Sequence, residues 1–428
     1  MDERKRIAEN VEQEIKAIMD VSDKKDKQRM KRSIYDIRAA VSIPDLNKQA
    51  YRPQVVSFGP FSTFGEMQEH KERASAHFLR RSGKPLSLFV ESLAEVVNDL
   101  RDSYGIKYYQ YSDSGLLKTM IFDGCFILEI LHFYSDTLND YGPDDPIFSK
   151  HGKLYIMPFI RRDMLMLENQ LPMFVLEKLL AIGRGAETSA EYINKLILNF
   201  FFPNTSILVR EKCVHVLDVY RRSLLQQQVS EKTHYCISED VHEDHDNVFI
   251  RSATKLNQAG IQFQKSKTRC LDDISFQSGV LKLPVIVVDE TTESIFLNLI
   301  AYESLHVLAG TEVTSYFILM RSIIKDKQDV ALLHSKGIIQ NGLESDQEVA
   351  KLFNSLSKNI RLDPESKLYA VQKNMINACC EKSWNQWPAK TFQYNFRINP
   401  WPILPLVTAI ILFIFTNIYL HYHNNESP

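Results

Sequence analysis

The chain has 428 residues, 44% hydrophobic and 24% charged, with 51 Lys and Arg against 53 Asp and Glu. That size allows one large core or two to three ordinary domains, and that composition excludes a disordered chain. A formal net charge of -2 argues against nucleic acid as a partner, because phosphate backbones are met by a pronounced basic excess.

Residues 1–32 read as a charged amphipathic N-terminal helix, with Ile7, Val11, Ile15 and Ile18 on one face. The segment lacks the apolar core of a secretory signal and is too short for a stable isolated coiled coil. Residues 33–400 follow as the main body. Apolar spacing predicts helices over about 66–81, 86–103, 116–135, 163–181, 188–201, 211–228, 291–309, 313–325, 346–357 and 366–383. The loop 141–153 and a polar, acidic loop over 229–248 separate some of them. The stretch 261–289 alternates apolar and polar residues. Ser278-Gly279 sits at a hairpin position and Pro284 at an edge or exit, so a small antiparallel β-meander is expected there.

Ile403 to Leu420 carry no formal charge and as a helix would span ~27 Å, the thickness of a bilayer core. Trp401, Tyr419 and Tyr422 flank that stretch as interfacial anchors do. A transmembrane helix over 401–421, a short tail over 422–428 and contact with membrane lipid through 403–420 are expected. Lys382, Lys390 and Arg397 precede the span, which would leave the N-terminal body on the cytosolic side of a single-pass, tail-anchored protein in the plasma membrane. The sequon at Asn204 pulls against that orientation and is discounted. The fold class read from the sequence is mainly α: a multi-helix globular body, the small meander and one C-terminal transmembrane helix.

The chain carries no GxSxG elbow, no GxxxxGK[ST] loop and no GxGxxG fingerprint. Six cysteines, at 125, 213, 236, 270, 379 and 380, are scattered and mostly sit in apolar helical contexts, as reduced buried thiols do. His234, Cys236, His242 and His245 could offer zinc ligands, but their spacing fits no tight site, and a solvated, partner-facing acidic loop is the better reading. No cofactor is expected.

Asp123 and Glu129 in MIFDGCFILEIL, and Glu168 in DMLMLENQLPMFVLEKLL, are acids in apolar runs. Packed together they could do acid–base work or bind a cation. Alternatively each accepts hydrogen bonds from helix N-termini or from arginines such as Arg101 or Arg162, which is the preferred reading. Glu168, Asn169, Gln170 and Pro172 then mark a break in a buried helix. The side chains satisfy backbone groups freed by the break, and Pro172 opens the next segment.

These residues also carry a family likeness. SIYDI (33–37), AYRPQVVSFGPF (50–61), MQEHKERASAHFLRR (67–81) and MIFDGCFILEIL (120–131) run in order with the ENQLP stretch. So do HVLDVYRRSLL (215–225), SATKLNQAGIQFQ (252–264), TSYFILMRSII (314–324) and the segment 274–303, which contains Glu293 and Asn298. Together they resemble the plant family called domain of unknown function 247. The chain departs from it in SIYDIRAAV for an SIYRVP-type opening and SFGPFSTFG for an SIGPYHHG-type segment.

The resemblance implies a helical body with no established enzymatic activity, and for some members a role as pollen determinants of self-incompatibility in grasses. The expectation is a membrane-anchored recognition or signalling protein that binds an unidentified protein partner through exposed segments, chiefly 229–248 and 136–153. The alternative is a membrane-bound hydrolase or transferase using the buried carboxylates.

Overall fold

A computed structural model describes residues 31–37, 48–61, 67–106, 110–135, 138, 140–184, 189–203, 205, 207–226, 251–356, 366–378 and 416. The amphipathic segment 1–30 and the acidic loop 229–248 lie outside the described residues.

The centre of the molecule is the helix α4, Asp113–Tyr134, within the order α1 Gln68–Ser82, α2 Leu86–Ala94, α3 Val97–Tyr104 and α4. Ser112 caps α4 by accepting from Gly115 N at 3.2 Å. From Met120 onward α4 is apolar nearly all round, which a helix tolerates only when other elements enclose it. They do: α1, α2, α7 (Met173–Arg184) and α8 (Ala190–Phe201) pack around it. Gly124 sets the closeness of α7, since a Cβ there would lie 2.4 Å from Leu179 Cδ1.

Two short helices, α5 Lys150–Tyr155 and α6 Met157–Asp163, lead into the ENQLP stretch; α9 Val216–Leu225 and α10 Ala253–Gln258 follow α8. Then come β1 Gln262–Lys265, β2 Ser275–Gln277, β3 Val280–Leu283 and β4 Ile286–Val288. Next are α11 Thr292–Leu305, α12 Glu312–Ile323, α13 Lys327–Ser335, β5 Ile339–Asn341 and α14 Asp346–Leu356, with a further helix over 367–378. One continuous apolar cluster runs from Ile34 to Met375, so the halves flanking the acidic loop share a core.

The body is mainly helical with small sheets, and four expectations are corrected. Residues 86–103 form two helices, broken around Glu95 and Val96, and 163–181 is interrupted from Met164 to Leu171. Helices α5, α6, α10 and α13 and strand β5 stand where no helix or strand was read; α5, α6 and α10 have only six or seven residues, too few to repeat an apolar face. The 261–289 meander is not uniformly antiparallel. The β2–β3 hairpin forms as its turn predicts, with Ser278 (φ 50°) and Gly279 (φ 80°) both left-handed. However, β1 runs parallel to β3, because the connection over 266–274 is long enough to carry the chain across. After Pro284 the chain leaves this sheet, and β4 pairs in parallel with the distant β5.

The fourth correction concerns the C-terminus. Among the described residues no helix is long and apolar enough to cross a membrane, and the expected C-terminal transmembrane helix is not supported. Residues 401–421, apart from Thr416, lie outside the described residues. The lipid contact and single-pass location were read from the same stretch, and among the described residues no element takes its place.

Candidate functional site

The stretch Met164–Leu171 is irregular backbone, yet only Glu168 in it is more than slightly exposed. Buried non-helical backbone must find partners for its N–H and C=O groups outside any ladder. Here side chains supply them. Asn169 Nδ2 donates to Val56 O at 3.0 Å and Asp163 O at 2.8 Å, while its Oδ1 accepts from Phe58 N. Gln170 Nε2 donates to Met164 O and Met166 O, both at 2.7 Å, and its Oε1 accepts from Leu217 N at 3.0 Å. Asn298, fully buried on α11, accepts from Leu167 N at 2.9 Å and donates to Ala50 O at 3.1 Å. Pro172 is buried and immediately precedes α7, whose first residue, Met173, donates its N–H to Val214 O.

Against this stretch runs Ser57-Phe58-Gly59-Pro60. Gly59 adopts φ 71°, and a Cβ there would lie 2.9 Å from Tyr104 Oη and 3.1 Å from Gln170 O. Only glycine fits both the conformation and the space. Gly59 N donates to Asp123 Oδ2 at 2.8 Å, and Asp123 Oδ1 pairs with Lys71 Nζ of α1 at 2.6 Å. Lys71 also donates to Ser57 O. Burial raises the Asp123 carboxyl above its ordinary value, opposed by the Lys71 charge and the Gly59 amide. Just beyond, the carboxylate of Asp163 accepts from the amides of Gln54, Val55 and Val56 at 2.7 to 3.0 Å and pairs with Arg162 at 3.1 Å.

Glu129, two turns along α4, occupies a separate place. It pairs with Arg81 of α1 and accepts from Tyr141 Oη at 2.6 Å. Arg81 and His77 also reach Asp140, at 2.5 and 3.0 Å. Burial pushes the Glu129 carboxyl up to about 7, with the Tyr141 hydrogen bond and Arg81 pulling it down.

The sequence-predicted residues are thus dispersed. Asp123 and Asn169 accept from the successive amides of Gly59 and Phe58; Glu129 does not join them. Glu168 accepts from Ile37 N at 2.5 Å, and Glu293 accepts from Ser355 Oγ at 3.4 Å at the edge of α11. The alternative association of Asp123 and Glu129 with Glu168 is not formed, since the first two take cations from α1 and the third a backbone amide. The arginines named beforehand serve other acids: Arg101 pairs with Asp113 at 2.6 Å and Arg162 with Asp163. Lys71, Arg81, Asp163 and Gly59 went unassigned. Lys71 was findable, because it falls on the same helical face as Ala74, Ser75 and Phe78, all buried. His234, Cys236, His242 and His245 lie outside the described residues. Among those described, no group of His, Cys, Asp or Glu is placed to hold a metal. Cys125, Cys213 and Cys270 are buried free thiols.

Chemically, this arrangement consumes its own polar groups: each buried carboxylate is closed by a cation, a hydroxyl or amides. Such networks fix a single packing.

Comparison with known proteins agrees with the motif pattern. The chain is 28% identical over 421 residues to UPF0481 protein At3g47200 of Arabidopsis thaliana, covering 90% of this chain and 85% of that protein. It is 23% identical over 490 residues to the putative UPF0481 protein At3g02645 of the same plant, covering 91% and 89%. No solved structure matches. The family model DUF247, described as a plant protein of unknown function, matches residues 34–415, and the chain belongs to that family.

Proposed function

We propose that the protein acts by binding another protein rather than by transforming a substrate. The observation that carries this reading is the set of large apolar side chains left in water. Val307 and Leu308, in the turn between α11 and α12, are 96% and 67% exposed, and Leu154 and Tyr155 on α5 are 61% and 60% exposed. Apolar surface of this kind gains free energy only when a partner covers it. The acids available for chemistry are meanwhile committed to partners within the fold. Recognition of self pollen, which the resemblance implies for some members, would be one instance of such binding. Segments 136–153 and 229–248 would then carry specificity.

The test is site-directed photo-crosslinking of the full chain in plant extract, with the photoreactive group at Val307 or Leu154. A discrete protein adduct that unlabelled chain competes away is expected, weakened when 229–248 is replaced by a Gly/Ser linker. No adduct at either position, together with Asp123-dependent turnover of ester or phosphoester substrates, would favour the hydrolase or transferase reading.

A further inference from the structure

Residues 1–30 precede a point that is fixed on α3. Lys31 Nζ meets Asp99 Oδ1 at 2.9 Å and Asp102 Oδ2 at 3.4 Å, and the amides of Ser33 and Ile34 both donate to Ser103 O at 3.1 Å. Whatever residues 1–30 touch, they are tethered at this end of the α2–α3 pair.

Between α2 and α3 the helical hydrogen bonding nearly continues: Glu95 N donates to Glu91 O, Val96 N to Leu93 O and Leu100 N to Val96 O. Spacings of three and four therefore carry across the break, and Glu91, Glu95, Asp99 and Asp102 fall on one side. The first three are exposed and Asp102 is half-buried. From Pro85 to Leu100 the sequence contains no Lys or Arg, and Arg101 turns inward to Asp113. Lys178 of α7 reaches Glu95 at 3.4 Å, so the edge keeps an excess of acid. Three residues before Glu91, the same side reaches Leu88. Leu86, Leu88 and Val90 are 51%, 42% and 38% exposed and form an apolar collar on the first turns of α2, while Phe89 and Leu93 are fully buried.

The tethered segment matches this edge in both respects. Immediately before the anchor, Lys24, Lys25, Lys27 and Arg29 stand against Asp26 alone, and further back Ile7, Val11, Ile15 and Ile18 recur at helical spacing. A helix of that length is marginal by itself in water, so its apolar side needs a surface. Asp99 and Leu88 are about 17 Å apart along a helix axis, whereas residues 19–30 can extend to about 40 Å. The tether also supplies an effective concentration on the order of millimolar, which lets a weak contact form. We infer that the α2–α3 edge is the docking surface for this chain's own N-terminal segment. The basic run 24–29 continues the Lys31 contact along Glu91 and Glu95, and the apolar side of residues 7–18 covers Leu86, Leu88 and Val90. Complementary charge sets the direction of approach and apolar burial holds the segment. This face is separate from Val307 and Leu154, so the inference stands or falls independently of the protein-binding reading.

The test is photo-crosslinking within the purified full chain, with the photoreactive group at Leu88 and, as a control, at Val287, which is exposed on β4. Peptide mapping of the irradiated chain is expected to find Leu88 joined to residues 1–23 and Val287 not. In an equal mixture of isotope-labelled and unlabelled chain the adduct should stay within one chain. Val11→Ser/Ile15→Ser should lower its yield about tenfold, and Glu91→Lys/Glu95→Lys severalfold at low salt. An unchanged unfolding midpoint checks that each variant folds. An adduct that joins labelled to unlabelled chain would assign the face to a second copy and overturn the inference. So would equal adducts from Leu88 and Val287, a yield indifferent to both double variants, or no adduct with residues 1–30.

Discussion

Glu129 shows what one buried acid can do to the pH dependence of the whole molecule. Its carboxyl sits at about 7 in the folded chain against an ordinary 4.5, because burial disfavours the charge more than Arg81 and Tyr141 restore it. The folded state therefore binds this proton more tightly than the unfolded state. Stability from this group is fully present below pH 4.5, is lost as the pH rises toward 7, and is level above that. The span corresponds to roughly 3 kcal/mol. His132 and His215, both lowered to about 4 by burial, act in the opposite sense: their contribution grows as pH rises from 4 to 6.5. Urea unfolding of wild type and Glu129→Gln at pH 5 and pH 8 separates these effects. The stability of wild type relative to the variant is expected to fall between the two conditions. An identical pH response in both chains would show that Glu129 does not titrate as its burial requires.

At the level of elements, the position of α5 depends on Gly152. A Cβ there would lie 2.0 Å from Ile147 O, a backbone atom that cannot swing aside. Ser149, which caps α5 by accepting from Gly152 N at 3.2 Å, would be displaced with it. Gly152→Ala is expected to cost about 2 kcal/mol or more, read as a lowered midpoint in denaturant; an unchanged midpoint would mean that the segment before α5 is free to move. Elements of this kind mark the limit of what the sequence reveals. The long helices α1, α4, α8 and α11 were legible because each presents several apolar turns, and the β2–β3 turn because Ser278-Gly279 demands left-handed backbone. Helix α5 has six residues and too little period to register. The β4–β5 pairing was invisible, since the two strands are separated by three helices and parallel pairing leaves no turn signal.

Across the molecule, polar side chains do the work that ladders do elsewhere. Asp163, Asn169 and Gln170, joined by Asn298 from beyond the acidic loop, tie the irregular backbone before that loop into one core, and Lys71 with Asp123 fastens α1, α4 and the Gly59 segment. The break at ENQLP was readable from Pro172 and the polar triplet, because an acid and two amides in an apolar run have few other uses. Their partners were not readable: Val56, Phe58 and Leu217 contribute only backbone groups, which no residue type announces. Lys71 illustrates the intermediate case, a cation visible on a buried face whose acid could not be named until α1 and α4 were packed.

The measurement that tests this account most directly is the stability of Asp123→Asn. If the buried carboxylates serve architecture, the substitution leaves the Lys71 ammonium enclosed without a counter-charge, at a cost of about 3–5 kcal/mol. Denaturant unfolding should show that loss, and Lys71→Met combined with Asp123→Asn should recover part of it. If Asp123→Asn folds with unchanged stability and abolishes the function of the chain, the acid serves chemistry and the architectural account is wrong.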